Sequence, residues 1–154
     1  MAELIINLGI PLCLIALGYF CGTWTEQRHY RSIEAREKAL VRLPATTAKN
    51  VDVNEADVER AEMVWGSVVV SNDYFKRLLA ALRNIFGGRV KSYESLVDRA
   101  RREAMLRMKE MAPDATIILN VRLETATIGR SANKKGMVGS VEALAWGTAL
   151  TLRQ

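Results

Sequence analysis

Residues 84 to 94 read Asn-Ile-Phe-Gly-Gly-Arg-Val-Lys-Ser-Tyr-Glu: two glycines and two basic residues between two helix-like stretches. A glycine loop of this kind can cradle phosphate, or it can end a helix. Phosphate binding needs a strand before the loop, a helix N-terminus after it, and a spacing such as GxGxxG or GxxxxGK[ST]. Here the preceding residues carry a helical stripe: Phe75, Leu78, Leu79, Leu82, Ile85 and Phe86, with Lys76, Arg77 and Arg83 on the opposite side. No third glycine follows Gly87 and Gly88, and no Lys-Ser or Lys-Thr pair falls in register. The pair therefore reads as a helix end, one glycine taking the left-handed conformation without a Cβ penalty. Ser92 then caps the next helix, opened by Tyr93 and Glu94, with Glu94 in the first turn where the helix dipole favours an acid. Arg89 and Lys91 are the residues at this turn that could hold an anion.

Working outward, a second helix is expected from Tyr93 to about Met111, with the stripe Leu96, Ala100, Ala104, Met108 and Met111, closed by Pro113. Its methionines suit gap-filling in a core better than coordination of a soft metal. Residues 63 to 71, MVWGSVVVS, are rich in β-branched and aromatic types and read as a strand. Residues 115 to 128 alternate, with Ile117, Leu119, Val121 and Leu123 expected on one side and Asn120, Arg122 and Glu124 on the other. After a polar, basic connection at 129 to 137, residues 138 to 152 form a last long strand containing Trp146. The expected order, strand-strand-helix-helix-strand-strand, argues for an α+β fold with a mainly antiparallel sheet packed with two helices.

The N-terminal part differs in character. Residues 4 to 23 contain no charge, and a helix of that length covers about 30 Å of bilayer hydrocarbon. Tyr19, Phe20, Trp24 and Tyr30 crowd its far end as an interfacial belt would. The rival, a cleaved signal peptide, lacks a basic start and a small-residue cleavage site. The expectation is a transmembrane anchor at 1–24, a helical juxtamembrane stalk at 25–43 ended by Pro44, and a folded domain at 44–154. Arg28, Arg31, Arg36, Lys38 and Arg42 follow the apolar run. The positive-inside rule then predicts a single-pass inner-membrane protein with its N-terminus outside and the C-terminal domain in the cytoplasm. Gly18 and Gly22 form a small-xxx-small pair suited to packing of membrane helices. Cys13 and Cys21 behave as small apolar residues, and His29, the sole histidine, reads as incidental.

Composition narrows the function classes. At 154 residues with 49% hydrophobic and 25% charged, the chain can bury a core, and its net charge of +5 is spread among acids. No dense basic stripe marks a nucleic-acid partner. Beyond His29 there is no histidine for general-base work and no nucleophile beside a base. Neither catalysis nor a cofactor is expected.

Gly66-Ser67-Val68-Val69-Val70, then Asn84-Ile85-Phe86-Gly87-Gly88-Arg89 and Ser92-Tyr93-Glu94, with Ala-Pro-Asp-Ala at 112–115, resemble the YbjQ family of small bacterial proteins over roughly residues 44 to 154. In that family's Ala-x-Gly-Ala-Asp-Ala region Pro113 stands where glycine is usual. The resemblance implies an α+β domain assembling as a homo-oligomeric ring, typically a pentamer, without established catalysis. It also implies a heavy-metal-binding label, which this sequence contradicts, since soft metals favour thiolate or imidazole ligands. The expected function is a membrane-anchored, ring-forming homo-oligomeric scaffold or interaction protein, with lipid bilayer, itself and unidentified proteins as partners. The alternative is a small-ligand or metal sensor with sites between subunits, lined by Arg89, Lys91, Arg122, Arg130, Lys134 and Lys135.

Overall fold

The computed structural model describes residues 2–50, 54–71, 91–128 and 140–153. Helix α1 spans Ala2–Ala39, strand β1 Val58–Ser71, helix α2 Lys91–Glu110, strand β2 Ile117–Ile128 and strand β3 Ser140–Leu152. Alternation sets the sheet's inner face. Val141, Ala143, Ala145, Gly147 and Ala149 of β3 turn inward, as do Val64, Gly66, Val68 and Val70 of β1. Antiparallel pairing puts β3 in the middle, with sheet order β1-β3-β2.

Small inward residues let α2 lie directly on the sheet. A Cβ on Gly66 would stand 2.3 Å from the Ala104 carbonyl oxygen and 2.4 Å from the Met108 nitrogen. Of the expected stripe, Leu96, Ala100, Ala104 and Met108 are all buried. Met111 is exposed, and its sulfur accepts the Trp65 N–H at 3.4 Å, on the outer edge of β1.

The α+β class and the antiparallel sheet are found, but three expectations are corrected. First, a single strand precedes α2 among the described residues, and the sheet has three strands. Residues 44–48 make an isolated parallel bridge at Ala45 and Ile118 rather than a strand of the sheet. Thr46 donates to the Ile118 carbonyl at 2.9 Å, and Asn120 donates to that of Ala48 at 2.8 Å. Second, β2 does not keep one face throughout. A bulge lies between Leu119 and Arg122, where Asn120 takes φ 50°. Asn tolerates this left-handed conformation better than most residues. Leu119 therefore pairs beside Thr148, whereas Leu123 pairs beside buried Ala145 in the core. Gly147 accommodates the bulge, since a Cβ there would stand 2.9 Å from the Leu119 oxygen.

Third, among the described residues no helix is long and apolar enough to cross a membrane. The transmembrane anchor and the single-pass inner-membrane placement are corrected accordingly. Helix α1 is continuous over 38 residues, and Tyr30, Arg36 and Arg28 among the residues read as membrane flanks have protein partners. The Tyr30 hydroxyl donates to the Ser95 carbonyl at 3.1 Å. Arg36 reaches Glu103 and Glu110 of α2, and Arg28 lies over the Trp24 ring with 5.7 Å to its centroid. Gly18 and Gly22 are half-buried, spaced on the line that continues through Glu26, His29, Ile33 and Arg36. That line, lower down, meets α2.

Candidate functional site

Two surfaces carry chemistry beyond the core. The first is the seam between α1 and α2, which run in the same direction: Tyr30 meets Ser95, Glu37 meets Arg102, and the turn after α1 meets Lys109. Ile33, at 0% exposure, is an apolar element within it. Around it the contacts are ionic. Arg102 grips Glu37 through Nε at 2.8 Å and Nη2 at 2.6 Å, the bidentate geometry guanidinium favours. The Arg102 guanidinium also lies over the Tyr30 ring, 5.9 Å from its centroid. Glu103 is buried and takes Arg36 on one oxygen and Arg107 Nε, at 3.1 Å, on the other. Arg107 continues to the Ser67 carbonyl at 2.8 Å, so a chain of charge links α1, α2 and β1. Lys109 Nζ donates to the carbonyl of Leu43 at 2.7 Å, capping the turn that follows α1.

These contacts shift the titrating groups. The hydrogen bond from Arg102 holds the Glu37 carboxyl below its ordinary range, against the opposing effect of burial. Burial pushes Glu103 up, but the hydrogen bonds from Arg36 and Arg107 outweigh it and the net direction is down. Burial, then the nearby Arg99, lowers the His29 imidazole. His29 is half-buried, with Arg99 of α2 nearby.

The second surface is the sheet face turned away from α2. Met63, Trp65 and Val69 of β1 are 65%, 52% and 56% exposed, and Leu144 of β3 lies exposed beside them. Trp65 is paired directly with Trp146, and Trp146 in turn with Arg122 of β2. Two indoles and a guanidinium therefore sit at one level across three strands.

The residues singled out from sequence are placed as follows. Gly87, Gly88 and Arg89, the helix expected at 75–86, and Arg130, Lys134 and Lys135 lie outside the described residues. Helix α2 begins at Lys91, so Ser92 and Tyr93 fall within its first turn, with Glu94 the acid there. Arg122 is exposed on the open sheet face. Sequence reasoning missed the seam, Glu103 above all. The available signal was the spacing of Arg99, Glu103 and Arg107, which puts three charged groups on one helix face.

The model of a family described as "Putative heavy-metal-binding", YbjQ, matches residues 43–153. A "UPF0145 protein" of Archaeoglobus fulgidus is 36% identical over 112 residues, covering 70% of this chain and 94% of that protein. One of Thermosipho africanus is 32% identical over 111 residues, covering 71% and 94%. One of Hahella chejuensis is 34% identical over 97 residues, covering 62% and 86%. Such coverage leaves the first two relatives no room for a counterpart of the 38-residue α1.

The donor set does not fit a heavy metal. Residues 43–153 contain neither His nor Cys. Among the described residues, no three His, Cys, Asp or Glu side chains gather where they could hold an ion. Cys13 and Cys21 are free and exposed on α1, outside the matched span. With 43–153 matched and relatives of this identity sharing it, the chain belongs to the YbjQ family.

Proposed function

We propose that the protein is a non-catalytic homo-oligomeric scaffold whose copies join through the open face of the sheet. The observation that carries this reading is the row Met63, Trp65, Val69 and Leu144, large apolar side chains held exposed on a rigid strand surface. Contiguous exposed apolar surface of this kind marks an interaction site. Trp is the residue type most often found at the energetic centre of an interface. The face is not symmetric, since β1 contributes the apolar edge and β2 contributes Arg122 and Glu124. Copies that meet through unlike parts of a surface close into a ring when the rotation allows, which is the assembly the family resemblance implies. Such a ring would display several copies of α1 together and strengthen weak contacts to other proteins.

Native mass spectrometry tests this reading. The expected result is a single species at an integer multiple of 17.2 kDa. Trp65→Glu combined with Met63→Lys is expected to dissociate it while leaving the far-ultraviolet circular dichroism unchanged. A wild-type protein that stays monomeric throughout its soluble concentration range would overturn the proposal.

A further inference from the structure

Where α1 ends, the chain turns at Leu40–Leu43 and leaves a groove of about 400 Å³ between that turn, α2 and β2. The volume lies in the range of small-molecule sites. Leu40 and Leu43 form one wall, Met105 another, and Leu123 closes it from the sheet. Its polar lining is unbalanced: Arg101, Arg102 and Lys109 stand against Glu37 alone. Arg102 is committed to Glu37, and Lys109 to the Leu43 carbonyl. Arg101 is exposed and, among the described residues, meets no carboxylate.

We infer that this groove binds a small amphiphilic anion, a medium-chain carboxylate, with its alkyl chain against Leu40, Met105 and Leu123 and its head group at Arg101. An apolar trough calls for carbon chain, and an excess of positive charge at its lining calls for an anion. A protein partner fits less well, because a stable interface covers about 800 Å² on each side, more than a trough of this volume presents. The groove opens on the helical side of the sheet, opposite Trp65, so self-association through the open face would leave it accessible. Glu37 of α1 and the turn after it complete the lining, and two of the relatives above have no length for that helix. The inference does not rest on the scaffold reading.

Titration calorimetry of the full chain with decanoate, kept below its micelle concentration, tests it. Affinity is expected to rise about fourfold per methylene from hexanoate to decanoate, the increment for a buried CH₂. Decanol should bind about fivefold more weakly than decanoate, the scale of one exposed ion pair. Arg101→Gln should abolish that difference and leave decanol unchanged. Met105→Trp, which fills the trough, should remove binding of both with an unaltered circular dichroism spectrum. Binding should persist in the Trp65→Glu, Met63→Lys variant whatever its mass, which separates this inference from the scaffold reading. Absent decanoate binding, equal affinity for acid and alcohol, or binding that survives Met105→Trp would each overturn the inference.

Discussion

Toward the sheet, α2 presents Ala100, Ala104 and Met108 to Gly66 and the alanines of β3, all buried in one apolar cluster. Toward α1 it presents Arg102, Glu103 and Lys109 to Arg36, Glu37 and the last carbonyls after the helix. The inner contact depends on shape, since α2 approaches so closely that a single added carbon would overlap backbone. The outer contact depends on charge, in a setting partly open to water, where geometry can relax. The inner face should thus fail abruptly on small steric changes. The outer face should yield in smaller steps that follow pH and salt.

The largest expected effect belongs to the inner face. Gly66→Val would drive carbon into the Ala104 carbonyl, 2.3 Å from an ideal Cβ, and neither backbone can move without opening the core. Overpacking commonly costs about 1–3 kcal/mol, and a clash with backbone belongs at or above the upper end. Urea denaturation is expected to show a loss of about 3 kcal/mol or more. Next comes Glu103→Ala, which leaves Arg36 and Arg107 without their shared carboxylate. Fully buried pairs lose about 3–5 kcal/mol on such truncation. Arg36 and Arg107 remain partly exposed, 29% and 49% at the side chain, so about 2 kcal/mol is expected. A Glu103→Ala variant less stable than Gly66→Val would reverse the ranking of the two faces.

The two faces were also unequally legible. The inner stripe of α2 could be read because Leu96, Ala100, Ala104 and Met108 recur every fourth residue, close to the helical period, and β3 because small residues alternate strictly. β1 begins at Val58, earlier than its apolar run, because Val-Glu-Arg-Ala-Glu pairs through backbone groups that side-chain type does not report. The bulge at Asn120 was invisible, since Leu119 and Val121 continue an apolar alternation that the left-handed residue between them breaks. The seam was misread for a related reason. Tyr30 and Arg36 carry the composition of a membrane flank, and only the position of α2 shows that Ser95, Glu103 and Glu110 receive them. The Trp65 face was present in the strand pattern, but its exposure depends on where the helices sit.

Acidification should probe the outer face alone, and in two steps. His29 has a folded value below 6.5, so the unfolded chain takes its proton first. Stability from this group is complete above 6.5 and declines as pH falls below it. Glu37 and Glu103 have folded values below 4.5, so the unfolded chain again binds more protons. Their contribution is fully present above 4.5 and is lost as pH falls through the folded values. Urea midpoints followed downward in pH should decline in both windows. His29→Gln should remove the upper step and leave the lower one. An upper step unchanged by that substitution would detach His29 from the seam.

The smallest effect separates a hydrogen bond from the charges around it. Tyr30→Phe keeps the ring that carries Arg102 and removes only the hydroxyl bound to the Ser95 carbonyl. A net hydrogen bond contributes about 0.5–1.5 kcal/mol, and the carbonyl here is partly hydrated, so about 0.5 kcal/mol is expected. The alkaline side gives a second readout. Burial, then Asp98, raises the Tyr30 phenol above 10.0 in the folded chain. Above that value the unfolded chain releases a proton that the folded chain keeps, so the wild type loses stability with rising pH where the Phe variant has no such group. The gap between the two proteins should therefore narrow on the alkaline side, and could change sign, while staying constant near neutrality. A gap that stayed constant through the phenol's range would mean that Tyr30 is solvated like any surface tyrosine, and the upper end of the seam would have to be redrawn without it.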